Sequence, residues 1–309
     1  MAEASIPVDL FNPGQVFACL GFLEAADLLI GQAEGWFDWL RARDTHFHLR
    51  TPGTSNPYRV VLDAITTSEI ECWAPYGYLE PVRGQDVDES AAETSLNLIY
   101  HFSETFPERS GDPMGFPIRL RTTDQLVINF THWADGSTRD KFKLYAGNRS
   151  ALRIARAMLF GTRHEGTKKQ PIGNLKTHGI SNLWHDHRDA VIERPFDVLT
   201  PMRGSFNFDP RGGWTAIDAG YSPNDQEHLI AASPVVEFFA ALGMEHVRPN
   251  VYGSRKVRYA VWDYPLPTVI ARTALSGSIP ALSQRYFFFQ LALSGKNKVV
   301  TFAEEESRP

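Results

Sequence analysis

The sequence is poor in the features that staple, anchor or arm a protein. Only two of its 309 residues are cysteines, Cys19 and Cys72, with no CxxC pair. That excludes a disulfide framework and points to a reducing cytoplasm. No uninterrupted apolar run approaches the ~20 residues of a helical membrane span. The opening MAEASIPVDLF has no basic region ahead of an apolar core, so no secretory signal is expected. Phosphate-loop (GxxxxGK[ST]), dinucleotide (GxGxxG), serine-elbow (GxSxG), zincin (HExxH) and EF-hand patterns are all missing. No cofactor is called for by any motif.

What is present is a concentration of positive charge. Residues 139–176 carry ten basic side chains against two acids, a balance of +8 inside a chain of −5, which leaves −13 for the remainder. Such a field attracts polyanions whatever the net charge. Within it, Asn148 can cap a helix starting near Arg149. Arg149, Arg153, Arg156 and Arg163, spaced 4, 3 and 7 apart, then share one face, while Leu152, Ala155, Met158 and Leu159 form an inward face. Lys168 and Lys169 follow in a glycine- and lysine-rich loop. Arginine forks bond phosphate oxygens in pairs, and a loop can conform to a strand. A solvated helix face with counter-charges elsewhere gives the same pattern.

Along the chain, Asn12-Pro13-Gly14 opens a helix over 15–30 that is apolar nearly all round, with Gly21 permitting a close approach. Strands are expected over 45–50, 58–62 and 96–102, a surface loop over 83–94, and a hairpin of 116–121 with 125–131 about Thr122-Thr123-Asp124. Ser233, Pro234 and Gly243 mark the cap, first turn and stop of a second strong helix. Strands over 247–252 and 257–262 follow, with a small basic cluster of Arg255, Lys256 and Arg258. A helical 266–275, strands over 285–293 and 298–302, and a frayed acidic tail complete the reading. The fold class is therefore α+β, with mixed antiparallel sheets, a buried N-terminal helix and two further strong helices. The turn-rich 104–114 divides the chain into an N-terminal α+β domain (1–110) and a nucleic-acid-binding α+β domain (111–309), or lies within one domain.

Two places could carry chemistry. His185-Asp186-His187, with Asp189 behind, could ligate a divalent metal; on a strand the two rings would face one side, with His132 and Asp135, or His178, completing the set. His46 and His48 could act as acid and base in RNA cleavage, although a half-buried strand alternates in the same way. The loop 205–225 (SFNFDPRGGWTAIDAGYSPND) combines turn formers with aromatics and suits a positioned functional loop. In and beside it Arg203 and Arg211, next to Phe208 and Trp214, are candidates for contact with bases or a duplex groove. Trp36 and Trp39 are candidates for an interface.

The opening VDLFNPGQVFACLGFLEAADLL resembles the first helix of large-subunit-type proteins of type I CRISPR effector (Cascade-type) complexes. FNFDPRGGWTAIDAGYSPND and WDYPLPTVIARTALSG resemble the type I-G (formerly I-U) branch. The resemblance implies a non-catalytic subunit of a crRNA-guided surveillance complex in antiviral defence. Its partners would be crRNA, target DNA and other Cascade-type subunits. The resemblance also implies a part in protospacer-adjacent-motif reading and in recruiting the helicase-nuclease. The residues alone also admit a metal- or histidine-dependent RNA or DNA endonuclease through His185 and His187, for which the resemblance implies CRISPR RNA as substrate, and an assembly protein whose basic face docks an acidic partner.

Overall fold

A computed structural model describes residues 1–40, 44–73, 101–102, 118–130, 144–145, 151–163, 175–202, 205–213, 230–247, 249–253, 255–294 and 297–307. In chain order the elements begin β1 (Ala2–Pro7), α1 (Pro13–Leu29), β2 (Glu34–Asp38), β3 (His46–Thr51), α2 (Pro57–Thr66), β4 (Glu69–Trp73), β5 (His101–Phe102), β6 (Ile118–Arg121) and β7 (Val127–Phe130). Next come α3 (Ala151–Phe160), β8 (Thr162–Arg163), β9 (Leu175–Thr177), α4 (Ile180–Asp186), α5 (Arg188–Glu193), β10 (Thr200–Pro201), a 3-10 turn (Pro210–Gly212) and β11 (Ala231–Ala232). The chain closes with α6 (Pro234–Gly243), β12 (Asn250–Tyr252), β13 (Lys256–Val261), β14 (Leu266–Pro267), α7 (Thr268–Leu275), β15 (Arg285–Ser294), β16 (Asn297–Val300) and β17 (Glu304–Glu306). All strand pairings among these are antiparallel, and the class is α+β as the sequence suggests.

The centre is α1. The Asn12 side chain accepts the Gln15 amide (3.1 Å), Pro13 fills the first turn, and the helix is buried from Pro13 through Ala26. It crosses α6, which Ser233 caps by accepting the Val236 amide at 3.3 Å. The crossing is as tight as backbone allows: a Cβ on Gly21 would collide with the Phe239 carbonyl, and one on Gly243 with that of Phe17. Beside it Phe22 stacks on Phe239, centroids 3.8 Å apart. The two acids that interrupt this apolar helix both have uses. Glu24 pairs with Arg272 of α7 (2.6 Å), and Asp27 accepts the Ala33 amide at 3.1 Å as the chain turns into β2.

Sheets flank α1. The first, ordered β1-β3-β2-β14, turns Phe37, Phe47 and Leu49 inward. Another, ordered β12-β13-β15-β16 with β17 also on β15, presents Tyr259 and Phe289 to Phe17 of α1. Three buried aromatic polar groups reach carbonyls: Tyr58 bonds that of Phe47 (2.8 Å), Tyr259 that of Leu10 (2.6 Å) and Trp262 that of Gly35 (2.8 Å). A third sheet, β5-β4-β6-β7, leans on α6 through Phe130 and Phe238. Its β6–β7 hairpin turns at Thr122, whose hydroxyl accepts the Leu126 amide. One apolar cluster runs from Ile6 to Ala303. Among the described residues no helix is long and apolar enough to cross a membrane.

Two expectations are corrected. Residues 58–62 are not a strand but part of α2. Asn56 caps it by accepting the Tyr58 and Arg59 amides, Pro57 fills its first turn, and Tyr58, Val61, Leu62 and Ile65 repeat at helical spacing on its buried side. The acidic tail is not frayed: Glu304–Glu306 pairs with Phe288–Tyr286, and Glu305 and Glu306 meet Arg285 and Arg258. Trp36 and Trp39 are half-buried: Trp36 lies flat against His48 (4.9 Å between centroids) with Arg50 on it, and the Arg285 guanidinium covers Trp39. The expected loop over 83–94 and the turn-rich 104–114 lie outside the described residues.

Candidate nucleic-acid interface

Helix α3 is amphipathic in the way its sequence indicates. Ala151, Leu152, Ile154, Ala155, Met158 and Leu159 are buried, against α4 and α6 among others. Arg153, on the other side, is exposed, and Arg156, three residues on, is half-buried. The inner face fixes the helix, and so fixes where the two arginines project.

Arg163 does not share that row. The helix stops at Phe160 because Gly161, at φ +76°, turns the chain into a left-handed conformation while its amide still reaches the Ala157 carbonyl (2.9 Å). A Cβ there would strike the Thr177 carbonyl. Thr162 and Arg163 then pair with β9, where the Thr162 and Thr177 hydroxyls meet at 2.7 Å. Arg163 is thus a strand residue, and the run of arginines is split between two elements. Arg149, Asn148, Lys168, Lys169, Arg203 and Trp214 lie outside the described residues.

Arg211 is placed by the turn 210–212, and its charge is met there. Its guanidinium bonds both oxygens of Asp209, with Nη2 to Oδ2 at 2.7 Å. Phe208 is fully buried against Phe17 and offers no ring to a base. Asp209 is 1 % exposed and also receives the Asn12 side-chain amide (3.3 Å) and the Ser233 backbone amide (3.0 Å). Beside it Glu237, in the first turn of α6 and 1 % exposed, accepts the amides of Asp209 (2.8 Å) and Phe208 (3.2 Å). Burial pushes the Glu237 carboxyl up to about 8, the backbone amides pulling against it and the Asp209 charge adding to it. Sequence reading did not anticipate this network. Its one visible signal is a carboxylate after Ser-Pro at the start of an otherwise apolar helix.

The HDH cluster is helical: α4 ends at Asp186, and His187 is the junction with α5. The strand geometry that would aim His185 and His187 together is not formed, because Gly179, Ile180, Leu183 and Trp184 begin a helix with a buried side. Both histidines are exposed, and Arg188 stacks on Trp184 at 4.5 Å. Among the described residues no group of three or more His, Cys, Asp or Glu is placed to hold a metal. On β3, His48 lies between Glu3 (3.4 Å) and Asp38 (3.9 Å), and His46 faces Asp44 at 3.5 Å. Cys19 is buried in α1 and its thiol is pushed well up by burial, which removes it as a nucleophile.

No protein-family model, curated protein or solved structure matches the chain.

Proposed function

We propose that this chain is a non-catalytic, nucleic-acid-binding subunit of a crRNA-guided surveillance complex, with the outer side of α3 lying along a phosphate backbone. The observation that carries the reading is α3 itself: a helix pinned by six buried apolar residues with Arg153 and Arg156 on its other side. It stands inside a +8 stretch of a chain that is −5 overall. In such complexes base pairing reads sequence, and protein supplies backbone contacts and a short duplex check. A field of this kind serves that task without an active site. The resemblance of the opening helix and of the 205–225 and 262–277 stretches to type I-G effector proteins supplies the complex. It also supplies the partners: crRNA, target DNA, other subunits and the helicase-nuclease.

The test is capture of the tagged protein from its native cytoplasm, with sequencing of bound nucleic acid and identification of co-purifying proteins. Discrete repeat-spacer RNAs with several partner subunits are expected. Recovery of the protein without nucleic acid would overturn the reading.

A further inference from the structure

The sheet β12-β13-β15-β17 has a second face, closed at Ala260 and Tyr286, which are buried beside Gly277, and open beyond them. Register places Asn250, Tyr252, Lys256, Arg258, Phe288, Gln290, Glu304 and Glu306 on it, while Val257, Tyr259, Phe287 and Phe289 point to α1. Its aromatic rings already carry cations: the Arg258 guanidinium lies 4.7 Å from the Tyr252 centroid, and the Lys256 Nζ lies 5.3 Å from that of Phe288. Tyr252 and Phe288 are half-buried, and Lys256 and Arg255 are exposed. An anion already occupies the face as well. Glu306 takes Arg258 Nε through Oε2 and the Tyr252 hydroxyl through Oε1, at 2.7 Å for the latter. Against the cost of burial, those hydrogen bonds hold the Glu306 carboxyl below the usual carboxylate range.

We propose that this face is a second nucleic-acid site, specific for single strands, on which Glu304 and Glu306 of β17 stand where phosphates bind. The inference rests on the nucleic-acid reading above and adds to it a location and a ligand class. The chemistry selects single strands, because ring faces such as that of Phe288 can be used only by unstacked bases. Lys256 moves from the ring to a phosphate when a base takes its place, and phosphate competes with Glu306 for the Arg258 fork and the Tyr252 hydroxyl. The acidic strand therefore sets the threshold for binding: weak polyanions leave it in place, and a strand that also stacks displaces it.

The experiment measures binding of a labelled oligouridine to the full chain by fluorescence anisotropy, with ultraviolet crosslinking to locate contacts. The variant Glu304→Gln, Glu306→Gln removes the negative charge that β17 places on this face; it is expected to bind several-fold tighter. Lys256→Glu, at an exposed position, is expected to bind about tenfold weaker. Crosslinks are expected at Tyr252 or Phe288, which keeps the test decisive if either variant folds poorly. Wild-type binding that neither variant changes, with no crosslink on this sheet, would overturn the inference and leave the α3 reading standing. Absence of binding by wild type and by the glutamine variant alike would sink both.

Discussion

Glu237 and Glu306 each fasten a segment that is distant in sequence, Glu237 the 205–213 loop and Glu306 the chain end. Glu237 works through backbone amides in a dry interior, and burial pushes its carboxyl up to about 8. Glu306 works through an arginine and a phenol at a sheet edge; burial opposes its ionisation, yet those partners keep it below the usual range. The same side chain is thus a proton-holding rivet in one place and an ionised strap in the other. The difference lies in whether a cation accompanies it out of water. The inner fastening sets architecture, since it joins α1, α6 and the loop into one unit. The outer one joins only an edge strand and can be exchanged.

Removing the inner fastening should have the largest effect. Asp209→Ala strips the acceptor from Arg211, Asn12 and the Ser233 amide together, and is expected to cost about 3–5 kcal/mol, read from the urea midpoint. A loss under about 1 kcal/mol, the level of a surface pair, would mean the network is incidental.

The next effect is the pH dependence of stability. A carboxyl whose pKa is raised by folding keeps its proton where the unfolded chain has released it. Stability should therefore fall as pH rises from the unfolded value near 4.5 toward about 8, then level off. The slope is bounded at about 1.4 kcal/mol per pH unit. Glu237→Gln should flatten that slope; an unchanged profile would assign it to another group.

The strap should show the opposite sign and a smaller size. Glu305 and Glu306 are both held below their ordinary range, so their contribution is present above the unfolded pKa and is lost as pH falls through the folded one. Glu306→Gln is expected to cost about 1 kcal/mol or less. Its clearest readout is faster trimming of the tail by an acid-tolerant carboxypeptidase below pH 4 than at pH 6. Equal trimming rates would show that β17 is held by backbone pairing alone.

Local signals made much of the fold legible. Asn12-Pro13 and Ser233-Pro234 each announce a helix start, and Gly21 marks the crossing because a side chain there would be intolerable at any energy. Asn56-Pro57 is the same signal, and Tyr58, Val61, Leu62 and Ile65 keep helical spacing behind it, although Val60-Val61 is a β-branched pair that locally favours strand. The candidate site was legible only in part. The apolar face of α3 predicts its burial, yet the arginine spacing carried the helix past Gly161, whose positive φ ends it. Long-range pairing was hidden altogether. Nothing local tells that Glu306 will meet Arg258, or that Arg211 will be bound to an Asp209 that Asn12 also holds. A run of charge in sequence states how many ions there are; only the fold says which are already matched.

The proposal that α3 lies along a phosphate backbone is decided by a salt titration of oligonucleotide affinity with wild type and Arg153→Glu, Arg156→Glu. Wild-type affinity is expected to fall steeply and log-linearly with salt, and the variant to bind at least about tenfold more weakly with a slope shallower by roughly two phosphates. Equal affinity and equal slope in the two proteins would contradict it.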